Sequence, residues 1–344
     1  MRTLLLATSL ILLSGCASTY REDSRTTQTN YLTQATLVAD LSNKTLEAQY
    51  IQQNTQVVGA GALGGLIGGL VNAGINAYNA SNAEDTVERL RTLMGEDALH
   101  RAYQGQYQLL LESLPELQGR PVHVWQEIPD GGITSLGLKP GEVALLLVPQ
   151  YSLTVSKRRL HVELDAQLLE QMPSKKFPKV IYKNRFVYQS PAIESAPVYR
   201  SQEEIAQLRA AIEADFGPLP KDEYNRIKEK NKRAKKIEAL SKPLQGQEYD
   251  MRQAALWLKD DASQLRRHFR EGVDEIFAMF AHDYATVSTG KKFQPSAPQN
   301  RSTGRQWINV ASGPLAGSWM SLLSNEQLEL ATPVGGMIYM APAG

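Results

Sequence analysis

The chain has 344 residues, with 37 basic against 36 acidic side chains, so it lacks the cationic excess that nucleic-acid binding needs, and no nucleic-acid partner is expected. A hydrophobic share of 42% is enough for a core, and the length allows two modest domains or one with long excursions. The single cysteine rules out an internal disulfide framework.

Residues 1–15 read as a secretory signal peptide. Arg2 precedes an apolar run from Leu4 to Leu13, too short to span a bilayer as a folded helix, and the small residues Ser14 and Gly15 lead to Cys16. The sequence turns polar immediately afterwards. The ending Leu13-Ser-Gly-Cys16 resembles a bacterial lipobox. That resemblance implies cleavage before Cys16, lipidation of its thiol and acylation of the new amine. Three acyl chains would hold the protein permanently, where a single chain binds only marginally. Ala17 stands where an Asp would imply inner-membrane retention, so the resemblance implies the outer membrane, with the body facing the periplasm. Loss of Arg2 with the signal peptide brings the 37 basic residues level with the 36 acidic ones. With Cys16 lipidated, no thiol is left for a metal site.

Residues 16–56 are polar and read as a tether, within which Leu32, Leu37, Val38 and Leu41 mark a short strand or helix. Residues 57–115 read as a glycine-zipper and helical segment. No charge occurs from Ala48 to Ala83, and Gly61, Gly65, Gly69 and Ala73 recur every four residues, with Gly64 and Gly68 in a neighbouring row. On a helix they form a smooth ridge opposite Leu63, Leu66, Ile67 and Leu70, which lets another backbone come close. Each glycine costs a helix about 0.8–1 kcal/mol relative to alanine, so packing must hold this one together. The packing partner is the protein's own domain, a second copy in a homo-oligomer, or a membrane. A flexible linker is disfavoured by the interleaved Leu and Ile. Ser81 to Glu84 matches a capping box, Val87, Leu90 and Met94 follow at helical spacing, and a second amphipathic helix is expected from Glu96 to Leu114.

Over residues 120–200 the period becomes two. Val122 to Ile128, Val143 to Val148, Tyr151 to Val155 and Leu160 to Leu164 read as strands, and Val180 to Tyr188 as two short strands with a turn at Lys183-Asn184. Short connections argue for an antiparallel β-meander. Residues 201–284 read as helical. Ser201 to Glu204 opens a helix ending near Gly217, Lys221 to Lys242 is a charged, solvated excursion, and a stripe from Met251 through Ala262, Phe269 and Ile276 to Tyr284 predicts one long unbroken helix. Residues 285–344 read as a loop and short strands.

The chemistry-bearing motifs are missing. The five histidines make no zinc-protease pair, and there is no nucleophile elbow or phosphate loop. Gly59, Gly61 and Gly64 match a dinucleotide fingerprint without the preceding strand that it needs. His123 and His161 read as solvent-facing strand residues. No cofactor and no catalytic residue is expected, although a hydrolase assembled from distant residues stays open.

Gly64 to Asn76, Tyr151-Ser-Leu-Thr154 with Tyr182 to Gln189, and Ala255-Leu-Trp-Leu258 together resemble a group of bacterial lipoproteins with a glycine-zipper segment and no assigned activity. The expected fold is α+β, an antiparallel β-meander packed against long amphipathic helices, with a Gly-rich helix near the N-terminal tether. The expected role is structural or binding, in contact with the membrane through the lipid anchor and with an envelope protein or glycan. The alternative is a glycine-zipper oligomer that inserts into or perturbs the membrane.

Overall fold

The structure, a computed structural model, describes residues 21, 35–42, 46–48, 85–95, 98–114, 117–154, 156–193, 197–288, 298–310, 315–324, 326–331 and 337–340. In chain order these form β1 (Ala35–Asp40), β2 (Glu47–Ala48), a helix α1 over residues 85–94, α2 (Ala98–Ser113), β3 (Val122–Trp125), β4 (Val143–Leu153), β5 (Leu160–Glu170) and β6 (Lys179–Gln189). Four helices follow, α3 (Gln202–Phe216), α4 (Glu223–Leu240), α5 (Gly246–Ala254) and α6 (Lys259–Ser288), and then β7 (Gln299–Asn300), β8 (Arg305–Asn309), β9 (Trp319–Leu323), β10 (Leu328–Ala331) and β11 (Met337–Met340). The mixture of helices and strands is as expected. The Gly-rich helix lies outside the described residues.

The sheet is mixed, which corrects the expectation of a purely antiparallel meander. Its order is β3-β1-β4-β5-β6-β9-β8-β7, with β2 beside the far half of β4. The meander survives as the centre, where β4, β5 and β6 pair antiparallel. Parallel pairs frame it: β1 with both β3 and β4, and β9 with β6. Alternation along a strand reports which face is buried and is silent on direction. Parallel neighbours need long crossovers, and β1 comes from the polar segment read as tether.

Two local expectations also change. β4 runs through Pro149, because β1 pairs only as far as Leu147 and β2 begins at Ser152. On that side Pro149 faces a gap between partners, where a residue without an N–H is tolerated. β6 runs straight through Lys183-Asn184, opposite Gln167 and Ala166. The turn propensity of Asn184 is overridden because its buried side chain has a tertiary partner, Asp283.

α6 lies across β5, β6 and β9, and α2 packs on α6. Tyr103 and Tyr107 of α2 meet Phe277 at ring separations of 5.5 and 5.4 Å. The apolar stripe is buried as expected from Ala262 through Leu265, Phe269, Val273, Ile276 and Phe280 to Tyr284. Upstream, the expected unbroken helix is interrupted. α5 passes into a 3-10 turn, Ala255–Leu258, and Asp260, Asp261 and Ala262 then adopt left-handed φ values of 50°, 56° and 56°. Trp257 turns inward there and donates its indole N–H to the carbonyl of Lys157 at 2.8 Å.

Gly272 lets α6 come close against the sheet. A Cβ there would lie 2.6 Å from Val162 Cγ2 and 2.8 Å from Tyr188 Cδ1. A smaller apolar layer of Val187, Ile308, Val310, Met320, Leu322 and Leu328 forms a separate cluster.

Candidate functional site

Cys16 and the ridge residues Gly61, Gly64, Gly65, Gly68, Gly69 and Ala73 lie outside the described residues. Among the described residues, polar side chains gather at the two ends of α6.

At the C-terminal end the centre is Asp283, which is 1% exposed. Arg21 Nη1 donates to its Oδ1 at 2.7 Å, and Trp319 Nε1 donates to the same oxygen at 2.8 Å. Tyr182 Oη and Asn184 Nδ2 donate to Oδ2 at 2.8 and 3.0 Å. A buried carboxylate is stable only when such donors replace water. The arrangement ties together residue 21, β6, α6 and β9. Burial raises the pKa of Tyr182 well above the usual range, and the neighbouring Asp283 carboxylate adds to the effect. The Arg21 N–H also meets the Ala316 carbonyl at 3.4 Å, and its side chain crosses Gly317 so closely that a Cβ there would collide with it. Gly317 has φ +89°, so both the turn and the passage of Arg21 call for glycine. With donors on both oxygens, Asp283 acts as a clamp.

At the other end a cleft of about 330 Å³ opens between the Pro191–Ile193 segment and the start of α6, lined by Leu256, Lys259, Asp260, Gln264, Arg267 and His268. Glu271 Oε2 lies 2.9 Å from His268 Nδ1 and accepts from Tyr188 Oη at 3.0 Å. Arg267 Nη2 is 3.3 Å from His268 Nε2. A guanidinium can only donate, so Nε2 accepts and the imidazole proton sits on Nδ1, facing Glu271. Burial lowers the His268 pKa, opposed by its bond to Glu271. Burial alone would raise the Glu271 pKa, but the bonds from His268 and Tyr188 bring it below the usual value. The pair is therefore a neutral imidazole against a carboxylate at neutral pH. The arginine Arg305 lies 4.1 Å over the Tyr188 ring. Lys259 and Arg267 give the cleft two cationic groups, set beside the Asp260 carboxylate. A base role for Nε2 would first require the exposed Arg267 to move.

The charged excursion forms α4, which packs on α3 as an arm of two helices. Ser201 and Glu204 form the expected capping box of α3. At the base of the arm the Leu244 N–H donates to the Val198 carbonyl at 2.7 Å, and Arg200 pairs with Glu248. α4 has seven basic and three acidic residues and one buried side chain, Leu240. Lys232, Arg233 and Lys236 crowd the Phe216 ring at 5.5, 5.3 and 4.9 Å. Tyr224 and Ile227, near the tip, are 77% and 51% exposed.

His123 is exposed as expected. His161 is buried, a correction, because Nε2 lies 3.0 Å from Gln189 Oε1 inside the sheet. Sequence reasoning missed Arg21, Asp283 and the His268–Glu271 pair. Asp283 and His268 had a readable signal, since each falls beside the apolar stripe on the buried side of α6. Arg21 had none.

Among the described residues no group of His, Cys, Asp and Glu could hold a metal ion, and no helix is long and apolar enough to cross a membrane. Comparison with protein-family models, curated proteins and solved structures finds no match to this chain. The resemblance to zipper-bearing lipoproteins therefore rests on the residues quoted for it.

Proposed function

We propose that the chain is an outer-membrane lipoprotein, anchored through acylated Cys16 and facing the periplasm, with a structural or binding role in the cell envelope. The observation that carries this is the placement of the sole cysteine. It ends a short apolar run, follows Ser14 and Gly15, and precedes a polar segment. The folded body supports a short anchor, because Arg21 is already buried in it. The basic helix α4 is the surface available for an anionic envelope partner.

The test is labelling of growing cells with a radioactive fatty acid, comparing the wild-type chain with Cys16→Ser, followed by membrane fractionation. Label should enter the wild type alone, and the mutant should accumulate unprocessed or soluble. Equal labelling of both would refute the anchor.

A further inference from the structure

We infer that the body stands end-on to the bilayer, with the C-terminal turn of α6 against the lipid headgroups and the cleft at the start of α6 at the far end. This rests on the anchor at Cys16. The clamp at Asp283 fixes residue 21 by an ion pair of 2.7 Å, and the side chains of Arg21 and Asp283 are 4% and 1% exposed. The chain cannot slide through that contact without leaving a carboxylate buried and short of a donor. Cys16 and Arg21 are five residues apart, and five fully extended residues span at most about 18 Å.

The acyl chains start at the edge of the hydrocarbon, and the headgroup layer above it is roughly 5–8 Å deep. What remains of the tether lifts Arg21 no more than about 13 Å above the headgroups. From Asp283 back to Gln264, α6 runs roughly 28 Å at 1.5 Å per residue, farther than that. Gln264 lines the cleft at the start of α6. In every orientation the tether permits, the C-terminal turn of α6 stays within reach of the headgroups. The cleft end approaches them only if the molecule lies flat.

The geometry can be tested whether or not cells acylate the protein. Cys16 is the only thiol of the chain, so a maleimide phospholipid can be coupled to it in the chain without its signal peptide. The conjugate is placed in vesicles of phosphatidylethanolamine and phosphatidylglycerol that carry a headgroup quencher. A fluorophore is attached through an alkyne-bearing residue replacing exposed Ala285 or exposed Gln264. Quenching should be at least threefold greater at position 285. Inserting twenty Gly and Ser residues between Cys16 and Arg21 should lower it to the level at 264. Equal or greater quenching at 264 means that the cleft end lies on the lipid and overturns the inference. So does an insertion without effect. Failure of fatty-acid labelling in cells would reject the lipoprotein reading and leave this measurement intact.

Discussion

The same substitution, glycine to alanine, should have opposite effects at two helical positions. At Gly272 the added methyl carbon would sit 2.6 Å from Val162 Cγ2 and 2.8 Å from Tyr188 Cδ1. Non-bonded carbons prefer about 3.5–4.0 Å, so the overlap is close to 1 Å on two sides. Neither neighbour yields easily. Val162 is β-branched and stiff at χ1, and Tyr188 is held by its bond to Glu271 and by Arg305 at 4.1 Å. α6 must then lift from the sheet, at about 1–3 kcal/mol for overpacking, against about 1 kcal/mol gained in helix propensity. The net is a loss of up to about 2 kcal/mol. Gly105, in α2, has nothing within 4 Å of its would-be Cβ, so Gly105→Ala should gain about 0.5–1 kcal/mol. Urea denaturation of the chain lacking residues 1–15 measures both. If Gly272→Ala stabilises as Gly105→Ala does, α6 does not touch β5 and β6 at this residue.

Phe269→Ala and Ile276→Ala on the buried stripe should each cost about 2–5 kcal/mol in the same assay, while exposed Arg270→Ala should cost under about 0.5 kcal/mol. Asp283→Ala leaves Arg21 buried without its carboxylate and should cost about 3–5 kcal/mol; a loss below 1 kcal/mol would mean that the clamp does not form in solution. His268 has a folded pKa below its ordinary 6.5, so the unfolded chain binds the proton first as pH falls. Stability should therefore decline on acidification below about 6.5, and in His268→Gln that part of the decline should disappear from denaturation midpoints measured between pH 7.5 and 5. Glu271, whose folded pKa lies below its ordinary 4.5, contributes stability that is lost at lower pH, as the carboxylate protonates.

Features that depend on neighbouring residues in the chain were legible. The capping box at Ser201 and Glu204 formed as its spacing required, and the stripe from Ala262 to Tyr284 is buried because its period matches a helix. The left-handed turn at residues 260–262 was not legible. It contains no glycine, and three L-residues with positive φ are held there by the inward turn of Trp257 and the burial of Ala262. Nor could alternation in β4 and β6 reveal that β1 and β9 join them in parallel.

Asp283 shows where the boundary between the two kinds of information falls. It lies three residues after Phe280 and seven after Ile276, so helical geometry alone turns it toward the buried side. A carboxylate in that position is either neutralised or surrounded by donors, and this much follows from the sequence. The identity of the donors does not. They come from positions 21, 182, 184 and 319, brought together only by the order of strands in the sheet. The same contact decides how the segment after Cys16 must be understood. A polar composition reads as tether because polar residues bury poorly, yet one buried arginine is enough to end the tether at residue 21. With the proposed anchor at Cys16, the distance between membrane and body would be set by the partner that Asp283 captures, and composition carries no record of it.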